Sequence, residues 1–309
     1  MSVLTVTLNA AVDKLYTIPG FAVDQVQRPS ETRMYAGGKG INVARVYRTL
    51  GGEVMATGFS GGVTGEYIQQ GLRQEGVDAQ FVTIGQESRV CTAILDPIGR
   101  TETVLNENGP QVTPAECDAL LQRLRELLPG QDAVILSGSL PPGTPPNIYA
   151  SIIRLAQDGF GVKAVLDASG EALQFGVKAK PFLVKPNVHE LEALSVGGDG
   201  WGGSAQALRE KYDVTLALVT GGGRGAVLAS AEGTWEAVPP AVQVLSALGS
   251  GDSLTAGFVW AWEQGWGHAE ALKLGVAAGA ANATVYGSGF CTRDQIFNLA
   301  GRTTVNKIA

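Results

Sequence analysis

The 309-residue sequence has few of the residues that build disulfide frameworks, zinc sites or histidine-based catalytic sites. It contains three cysteines, Cys91, Cys117 and Cys291, and two histidines, His189 and His268. An odd number of cysteines without C-x-x-C spacing indicates reduced thiols in a cytosolic protein and argues against structural zinc. Neither histidine has the spacing of a metal ligand or of a Ser/His/Asp triad. If the protein is an enzyme, we expect its base to be a carboxylate.

The sequence also lacks basic runs and long apolar runs. Lys and Arg total 23 against 29 Asp and Glu, which gives a formal net charge of −6. This balance argues against nucleic acid or an anionic membrane as a partner, so an anionic small-molecule substrate would need a local basic cluster. The first ten residues lack the basic and apolar regions of a signal peptide, and no apolar run reaches membrane-spanning length. We therefore expect a cytoplasmic protein.

Patterns typical of buried strands and of helices alternate along most of the chain. SVLTVTLN at 2–9 is typical of a buried strand, and INVARVYRTL at 41–50 is typical of a helix. Thr113 and Glu116 form a predicted capping box at the start of a later helix, with Pro114 at its first position. The alternation predicts an α/β fold in three layers, with helices on both faces of a mostly parallel sheet. Ligands then bind at the carboxyl ends of the strands.

Two segments, residues 12–35 and 87–107, interrupt this alternation. Each has β-type residues, Pro/Gly turns and no helical stripe, so each is predicted to form a pair of strands. We expect the two pairs to meet as a small β-sheet that projects from a body made of residues 1–11, 36–86 and 108–309. Such a sheet above a strand-end cleft would be a lid, although two ordinary edge hairpins fit the pattern equally well.

The segment SALGSGDSLTAG, residues 246–257, is the first candidate for chemistry. Gly249, Ser250 and Gly251 precede Asp252, and the pattern then continues as a helix. Free backbone N–H groups at a helix start favour an anion, and small residues let a phosphate approach the backbone. Taken alone, Asp252 is more often a helix-capping carboxylate. The functional alternative is a general base that accepts a proton from an attacking hydroxyl beside a phosphoryl group.

Two further segments contain candidate binding residues. The segment AGGKGIN opens a predicted helix and contains Gly38, Lys39 and Asn42, and Asp13 lies just past the end of the first strand. Without a binding role, these residues would be a tight loop with a solvated lysine and an aspartate that stabilises a turn. In KPNVHELEAL, an Asn and a Glu three residues apart form a helix capping box, or organise water around Mg²⁺. LVTGGGRGAVL, residues 218–228, is a hairpin or the floor of a nucleotide site.

Together these motifs resemble the PfkB family of carbohydrate kinases, which has the ribokinase-like fold. GGKGINVARVYRTLG resembles the first signature of the family and SALGSGDSLTAGF the second, with Ser250 where the family has alanine. Six segments occur in the family's order, namely TLNAAVD, AGGKGIN, SGSLPPG, KPNVHELE, VTGGGRGA and GSGD. The resemblance covers essentially the whole chain and is strongest for the phosphosugar branch, which holds 1-phosphofructokinases, tagatose-6-phosphate kinases and a minor 6-phosphofructokinase.

The resemblance implies ATP-dependent phosphorylation of a ketohexose phosphate, with Asp252 as the base and the N–H groups of Gly249, Ser250 and Gly251 around the transferred phosphoryl group. The implied sugar-binding residues are Asp13, Gly38 and Asn42, and those for the sugar's own phosphate are Arg28, Lys39, Arg89 and Ser139. The implied residues on the side of ATP are Lys185, Asn187, Thr220, Gly222, Gly225 and, near the adenine, Asn282. Asn187 and Glu190 are implied to hold Mg²⁺ through water.

The resemblance leaves the sugar phosphate open. SRVCTAILD and VLDASGEALQ are similar to tagatose-6-phosphate kinases, whereas YGSGFCTRDQI is similar to 1-phosphofructokinases. We expect fructose 1-phosphate, converted to fructose 1,6-bisphosphate, with tagatose 6-phosphate as a near-equal alternative and fructose 6-phosphate as a third. Ala10 and Ser246 depart from the common Pro and Asp, whereas Asp252 is intact. The lid implies a possible homodimer.

Two other functional classes compete with a kinase. A catalytically silent protein that binds a sugar phosphate or a nucleotide would be expected to have lost Asp252 or the glycines before it, and both are present. A dinucleotide-dependent oxidoreductase is disfavoured because G-x-G-x-x-G occurs only at 198–203, after a helix and not after the first strand. No G-x-x-x-x-G-K-[ST] segment of a P-loop kinase occurs either.

Overall fold

The computed structural model describes residues 2–309, and its strands and helices alternate over most of that length. The strands are β1 (Ser2–Thr7), β2 (Ala11–Thr17), β3 (Glu31–Gly37), β4 (Glu53–Ser60), β5 (Asp78–Ala79), β6 (Val82–Thr83), β7 (Arg89–Asp96), β8 (Thr101–Asn106), β9 (Ala133–Ser137), β10 (Lys163–Asp167), β11 (Leu183–Val184), β12 (Leu216–Thr220), β13 (Ala226–Ser230), β14 (Gly233–Val238) and β15 (Thr304–Lys307). The α-helices are α1 (Lys39–Thr49), α2 (Gly62–Gln74), α3 (Pro114–Leu127), α4 (Ile148–Phe160), α5 (Gly170–Gly176), α6 (Val188–Ala193), α7 (Gly200–Tyr212), α8 (Ser250–Glu263), α9 (His268–Ala283) and α10 (Arg293–Ala300).

The large sheet has the strand order β15-β14-β13-β12-β11-β10-β9-β1-β4-β5, and β6 also pairs with β4. Every pair from β5 to β12 is parallel, while the three pairs from β12 to β15 are antiparallel. Parallel strands are buried on both faces, which explains the continuous apolar runs in the sequence. The predicted mostly parallel α/β sheet is confirmed.

Helices cover both faces of this sheet and form the three predicted layers. Successive residues of a strand point to opposite faces, so Val3 of β1 packs in one core with α1, α2, α8, α9 and α10. Leu4 and Val6 pack in the other core with α3, α4, α5 and α7. The predicted capping box at Thr113 and Glu116 is present at the start of α3, with Pro114 at its first position.

Close packing of α9 against α8 sets the position of the α8 N-terminus. A Cβ atom on Gly279 would lie 2.9 Å from the Ser250 carbonyl oxygen, and one on Gly275 would lie 2.9 Å from the Leu254 carbonyl oxygen. These distances are shorter than van der Waals contact, so side chains at either position would push the two helices apart. The glycines of α9 therefore allow α8 to pack closely against it in the core on this face of the sheet.

The two segments that interrupt the alternation form a separate sheet of four strands, which we call the small sheet, in the order β3-β2-β7-β8. The hairpins β2–β3 and β7–β8 are antiparallel, and β2 pairs with β7 in parallel. Asp13 of β2 lies opposite Cys91 of β7 in this register, and Ala11 lies opposite Arg89. The predicted small sheet is confirmed, whereas its separation from the body as a lid domain remains a prediction. Among residues 2–309, no helix has both the length and the hydropathy to cross a membrane.

Candidate active site

The candidate site lies at the carboxyl ends of the parallel strands, beside the first turns of α1 and α8. Asp167 is the last residue of β10, and Lys185 directly follows β11. Lys39 begins α1, and Asp252 lies in the first turn of α8. Parallel strands end at one edge of a sheet, so the fold brings together residues that are far apart in the sequence.

Asp252 faces the site and does not cap its own helix. The cap residue of α8 is Gly249, whose φ of 76° is in the left-handed region, and no side chain of residues 2–309 caps this terminus. The Asp252 carboxylate is 5% exposed and accepts a hydrogen bond of 2.9 Å from Asn42 Nδ2. The capping interpretation of Asp252 is therefore wrong, and the carboxylate is available to a bound hydroxyl.

The turn before Asp252 offers unpaired backbone donors. The N–H of Ser250 donates to the Ala247 carbonyl at 3.2 Å, while the N–H groups of Gly249, Gly251 and Asp252 have no acceptor among residues 2–309. First-turn N–H groups lack partners within their helix, and the helix dipole makes this end positive. Two of the three predicted donors are thus open to an anion. The N–H of Ser250 is occupied, and that of Asp252 is an additional donor.

Asp167 is central to the site, and the sequence analysis did not identify it. Its Oδ1 lies 3.3 Å from Lys39 Nζ and its Oδ2 lies 3.1 Å from Lys185 Nζ. The Thr255 hydroxyl donates to Oδ2 at 3.2 Å. A carboxylate that ends a buried parallel strand, in KAVLDAS, was the available signal. Because Lys39 is paired with Asp167, it lies beside the base rather than alone at a sugar-phosphate site.

Burial and nearby charges shift the pKa values of Asp252 and Asp167 in opposite directions. Burial raises the pKa of Asp252 to about 6, with the charge of Lys39 opposing this and that of Asp167 adding to it. Burial also favours neutral Asp167, but the ammonium groups of Lys185 and Lys39 outweigh it and hold the pKa of Asp167 below its usual value. The same attraction to Asp167 raises the pKa of Lys39. Asp167 therefore stays ionised as a counter-ion, whereas Asp252 titrates near neutral pH.

Asp13 presents a second carboxylate with a raised pKa. Burial raises the pKa of Asp13 to about 6, although Arg45 and Arg89 oppose the shift. Its side chain packs against the Cα of Gly37, where a Cβ would lie 2.2 Å from the Asp13 carboxyl carbon. No side chain or backbone group of residues 2–309 hydrogen-bonds to this carboxylate, which leaves both oxygens available to sugar hydroxyls.

The residues predicted to bind the sugar's own phosphate only partly converge. Arg89 donates from Nε to the Asn9 carbonyl at 3.2 Å, and the exposed Ser139 accepts from Asn9 Nδ2 at 3.2 Å. Gly38, whose φ of 111° is in the left-handed region, caps α1 beside them. Arg28 is exposed in the loop between β2 and β3, and no hydrogen bond or ion pair joins it to the rest of residues 2–309. Its phosphate contact remains a prediction.

The residues predicted to contact ATP and Mg²⁺ surround the ends of β11 and β12. Asn187 caps α6 by accepting from the N–H of Glu190 at 2.9 Å, and Glu190 Oε2 accepts from the N–H of Asn187 at 2.8 Å. The predicted capping box is therefore present. The backbone of Asn187 also forms an isolated parallel β-bridge with that of Thr220. Gly222 and Gly225 form the turn between β12 and β13, where both have positive φ. Residues 2–309 hold no group of three His, Cys, Asp or Glu side chains with metal-site geometry.

Asn282 lies beneath the site and not on its surface. It is 0% exposed, and its Nδ2 donates to the Leu248 carbonyl at 2.7 Å and to Ser250 Oγ at 3.2 Å. Its Oδ1 accepts from the N–H of Gly289 at 2.7 Å. The amide thus ties the turn before Asp252 to the segment after α9. Its predicted contact with adenine would require these hydrogen bonds to break.

Comparisons with known proteins identify relatives that this chain matches over nearly its whole length. The chain is 37% identical over 281 residues to a 1-phosphofructokinase of Rhodobacter capsulatus, which covers 90% of this chain and 89% of that protein. It is 34% identical over 299 residues to a tagatose-6-phosphate kinase of Staphylococcus epidermidis, covering 95% and 96%. The structure of phosphofructokinase-2 from Escherichia coli in complex with substrates and products matches with a TM-score of 0.92, at 28% identity and over 98% and 99% of the two chains.

The family comparison covers almost the entire chain. The sequence pattern of the pfkB family carbohydrate kinases matches residues 4–295, which include the small sheet and every predicted site residue. The predicted ribokinase-like fold and the kinase class are therefore confirmed. The chain belongs to the pfkB family of carbohydrate kinases.

Proposed function

We propose that the protein phosphorylates fructose 1-phosphate on its 6-hydroxyl group with ATP, giving fructose 1,6-bisphosphate and ADP. The observation that carries this proposal is the Asp252 carboxylate, which is buried beside unpaired N–H groups at the start of α8 and held by Asn42. This arrangement places a proton acceptor next to a site for a transferred phosphoryl group. The identity of 37% to a 1-phosphofructokinase supports the choice of sugar.

Asp252 is the general base of the proposed reaction. Its carboxylate accepts the proton of the 6-hydroxyl as that oxygen forms a bond to the γ-phosphorus of ATP. The bond from the γ-phosphorus to the β,γ-bridging oxygen breaks, and its electron pair leaves with ADP. A base with a pKa of about 6 is ionised at neutral pH and still basic enough to share the proton in the transition state. General-base catalysis of this kind is worth about 10²–10⁴-fold in rate.

The groups around Asp252 stabilise the charge that moves to the phosphoryl oxygens. The N–H groups of Gly249, Gly251 and Asp252 are free donors fixed at a positive helix end, so they need no rearrangement during the reaction. Lys39 and Lys185 add two ammonium groups that Asp167 holds in place. Asp13 and Gly38 orient the sugar, with Arg89 and Ser139 on its own phosphate. Thr220, Gly222 and Gly225 line the nucleotide.

The chemistry of the donor groups fits Mg²⁺ bound through water. Glu190 Oε2 is used in the capping box, and within residues 2–309 no hydrogen bond is made to its Oε1. Mg²⁺ usually keeps several waters and binds few carboxylates directly. Glu190 and Asn187 would therefore hold its waters, and the ion would neutralise phosphate charge when bound.

Two features of the small sheet support a lid that closes over the sugar. Asp13 and Arg89 belong to its strands β2 and β7, so the sheet contributes directly to the site. Ser246, which precedes the α8 turn, donates to Glu102 of β8 at 2.8 Å. On one face of the sheet Met34 of β3 and Leu105 of β8 lie in the same row across the strands and are 44% and 59% exposed. We propose that this apolar face forms a homodimer, which sedimentation of the wild-type protein tests.

Tagatose 6-phosphate is the second candidate substrate. The chain is 34% identical to a tagatose-6-phosphate kinase over 95% of its length, a similarity close to that with 1-phosphofructokinases. Both reactions place a phosphate at each end of a ketohexose. The same Asp252 base and the same α8 turn serve either substrate.

A coupled ATP assay with fructose 1-phosphate, tagatose 6-phosphate and fructose 6-phosphate tests the proposal. The expected result is the highest kcat/KM with fructose 1-phosphate. A higher value with either other sugar phosphate would replace the substrate and keep the chemistry. No turnover of any of the three, by protein that binds ATP, would favour a silent binding protein.

A further inference from the structure

Arg45 is a buried arginine one turn after Asn42 in α1, outside every predicted set of site residues. It is 4% exposed, and Glu75 forms a two-point ion pair with it, at 2.7 Å from Nε and 3.0 Å from Nη2. Its Nη1 donates to Asn42 Oδ1 at 3.2 Å. Asn42 in turn donates to Asp252 at 2.9 Å. One hydrogen-bonded chain therefore runs from Arg45 to the proposed base.

The guanidinium decides which end of the Asn42 amide faces Asp252. Arginine has only donors, so the oxygen of a neighbouring amide must face it. The NH₂ group of Asn42 is then turned toward the carboxylate, which has only acceptors when ionised. In the opposite orientation, two oxygens would face each other at Asp252 and two donor groups at Arg45. Asn42 alone has no such preference.

The same guanidinium fixes the segments on either side of the site. Its Nη2 donates to the Ala36 carbonyl at 2.6 Å, at the end of strand β3, and its Nη1 donates to the Ser288 carbonyl at 2.8 Å. Ser288 packs on the α8 cap, since a Cβ on Gly249 would lie 2.6 Å from the Ser288 Cβ. The ring of Phe290 covers the guanidinium at 4.4 Å. Arg45 is thus held rigidly enough to impose an orientation on its neighbour.

We propose that Arg45 is a positioning residue of the phosphoryl transfer, which keeps the Asn42 amide turned so that its NH₂ group holds the Asp252 carboxylate ready to accept the proton. This inference rests on the proposed function for its catalytic consequence. Arg45 is buried, at 4% exposed, and acts through its hydrogen bond to Asn42.

The expected signature is a change in the titration of the base. The Asn42 hydrogen bond lowers the pKa of Asp252, and so do the charges of Lys39 on α1 and Lys185 after β11, while Asp167 on β10 raises it. Losing the oriented NH₂ group removes one of the contributions that lower the pKa of Asp252 and leaves the others in place. Arg45 also lowers the pKa of Asp13, together with Arg89. Both carboxylates are therefore expected to hold their protons to higher pH in an Arg45 variant.

The test compares Arg45→Met and Arg45→Lys with wild type. Arg45→Met is expected to lower kcat at pH 7 about tenfold and to move the acid limb of the kcat profile up by about one pH unit, as expected for the loss of an oriented donor to a buried carboxylate. Arg45→Lys keeps a group that can only donate hydrogen bonds, so the acid limb of its kcat profile is expected to stay close to that of wild type. Arg48→Met is the matched control, because Arg48 is an exposed arginine of the same helix. It is expected to match wild type.

Carbon-13 titration of the aspartate side chains separates this inference from the proposed function. The Asp252 signal is assigned by its loss in Asp252→Asn, and its midpoint is expected to rise in Arg45→Met even if no sugar phosphate is turned over. If Arg45→Met does not fold, Arg45→Gln supplies the neutral variant, since glutamine offers both a donor and an acceptor. An unchanged midpoint and acid limb in a folded neutral variant, with only a lower melting temperature, would overturn the proposal.

Discussion

Replacing Asp252 with asparagine is expected to remove activity and increase stability in the same protein. The reason is that the carboxylate is buried beside Asp167, which destabilises its ionised form in the folded state. The pKa of Asp252 rises from 3.8 to about 6 on folding. At 1.36 kcal/mol for each pKa unit, the ionised carboxylate lowers the free energy of unfolding by about 3 kcal/mol. The neutral asparagine amide avoids this cost.

The sign of this effect depends on pH in a defined window. Well below pH 3.8 both the folded and the unfolded chain hold a proton on Asp252, so wild type and Asp252→Asn are expected to be equally stable there. As pH rises from 3.8 to about 6, the unfolded chain loses the proton first, and the wild type loses stability relative to the variant. The difference is expected to be complete above pH 6. The kcat/KM of wild type is expected to rise around pH 6, where Asp252 ionises in the folded protein.

A helix-capping carboxylate would behave in the opposite way. Removing a cap typically lowers stability by about 1 kcal/mol, and it would leave turnover intact. Asp294→Asn is the matched control, because Asp294 is an exposed acidic residue in the first turn of α10. That variant is expected to lose about 0.3–1 kcal/mol through the helix dipole, with unchanged kcat.

The assay combines urea unfolding at pH 4 and pH 8 with steady-state kinetics and calorimetric binding of ATP. Asp252→Asn is expected to lower kcat by about 10²–10⁴-fold while the affinity for ATP stays within about threefold, since the base contributes to the transition state and not to nucleotide binding. A kcat within tenfold of wild type would refute the assignment of the base. A variant less stable than wild type at pH 8 would refute the desolvation argument, even if activity were lost.

Three further predictions concern other groups. The Glu263 carboxylate accepts a hydrogen bond from the Tyr47 hydroxyl, and burial raises its pKa from 4.5 to about 7. As pH rises through that range, the free energy of unfolding of Glu263→Gln in urea is expected to rise above that of wild type by up to about 3 kcal/mol. A stability difference that does not change with pH would contradict this. Asp167→Asn leaves the buried ammonium group of Lys185 and the partly exposed one of Lys39 without their counter-ion, and unfolding at pH 7 is expected to show a loss of about 3–5 kcal/mol; wild-type stability would contradict the pairing. Arg89→Ala is expected to raise the KM for the sugar phosphate with little change in that for ATP, and an unchanged KM would remove Arg89 from the site.

Much of the fold could be predicted from the sequence because its local signals agree. Continuous apolar strands, helical stripes and the capping box of Thr113 and Glu116 all indicate a parallel sheet covered by helices, which the structure contains. The two segments without helical stripes could be recognised as strand pairs. The two strand pairs join through the parallel pairing of β2 with β7, a long-range contact that no local pattern encodes. In the sequence, only the similar residue composition of the two segments indicates that they meet.

The candidate site was predicted less completely, because its electrostatics depend on distances between strands. The glycines before Asp252 and the GGKGIN segment have short sequence signatures. Asp167 has none beyond its place at a strand end, and its importance becomes visible only when Lys39 and Lys185 are found on its two oxygens. Arg45 resembles any helix arginine in the sequence. Burial and its contact with Asn42 distinguish it in the structure.

The opposite titration of Asp252 and Asp167 follows from how the fold distributes two lysines between them. Both carboxylates are buried at the same sheet edge, where an isolated charge would be strongly disfavoured. Lys39 and Lys185 lie 3.3 and 3.1 Å from the Asp167 oxygens, whereas within residues 2–309 the neutral Asn42 amide is the one hydrogen-bond partner of the Asp252 side chain. Asp167 can therefore stay ionised while Asp252 exchanges its proton near neutral pH. Pairs of acids whose environments separate their pKa values in this way divide the roles of counter-ion and base, and the division here depends on the lysines staying with Asp167.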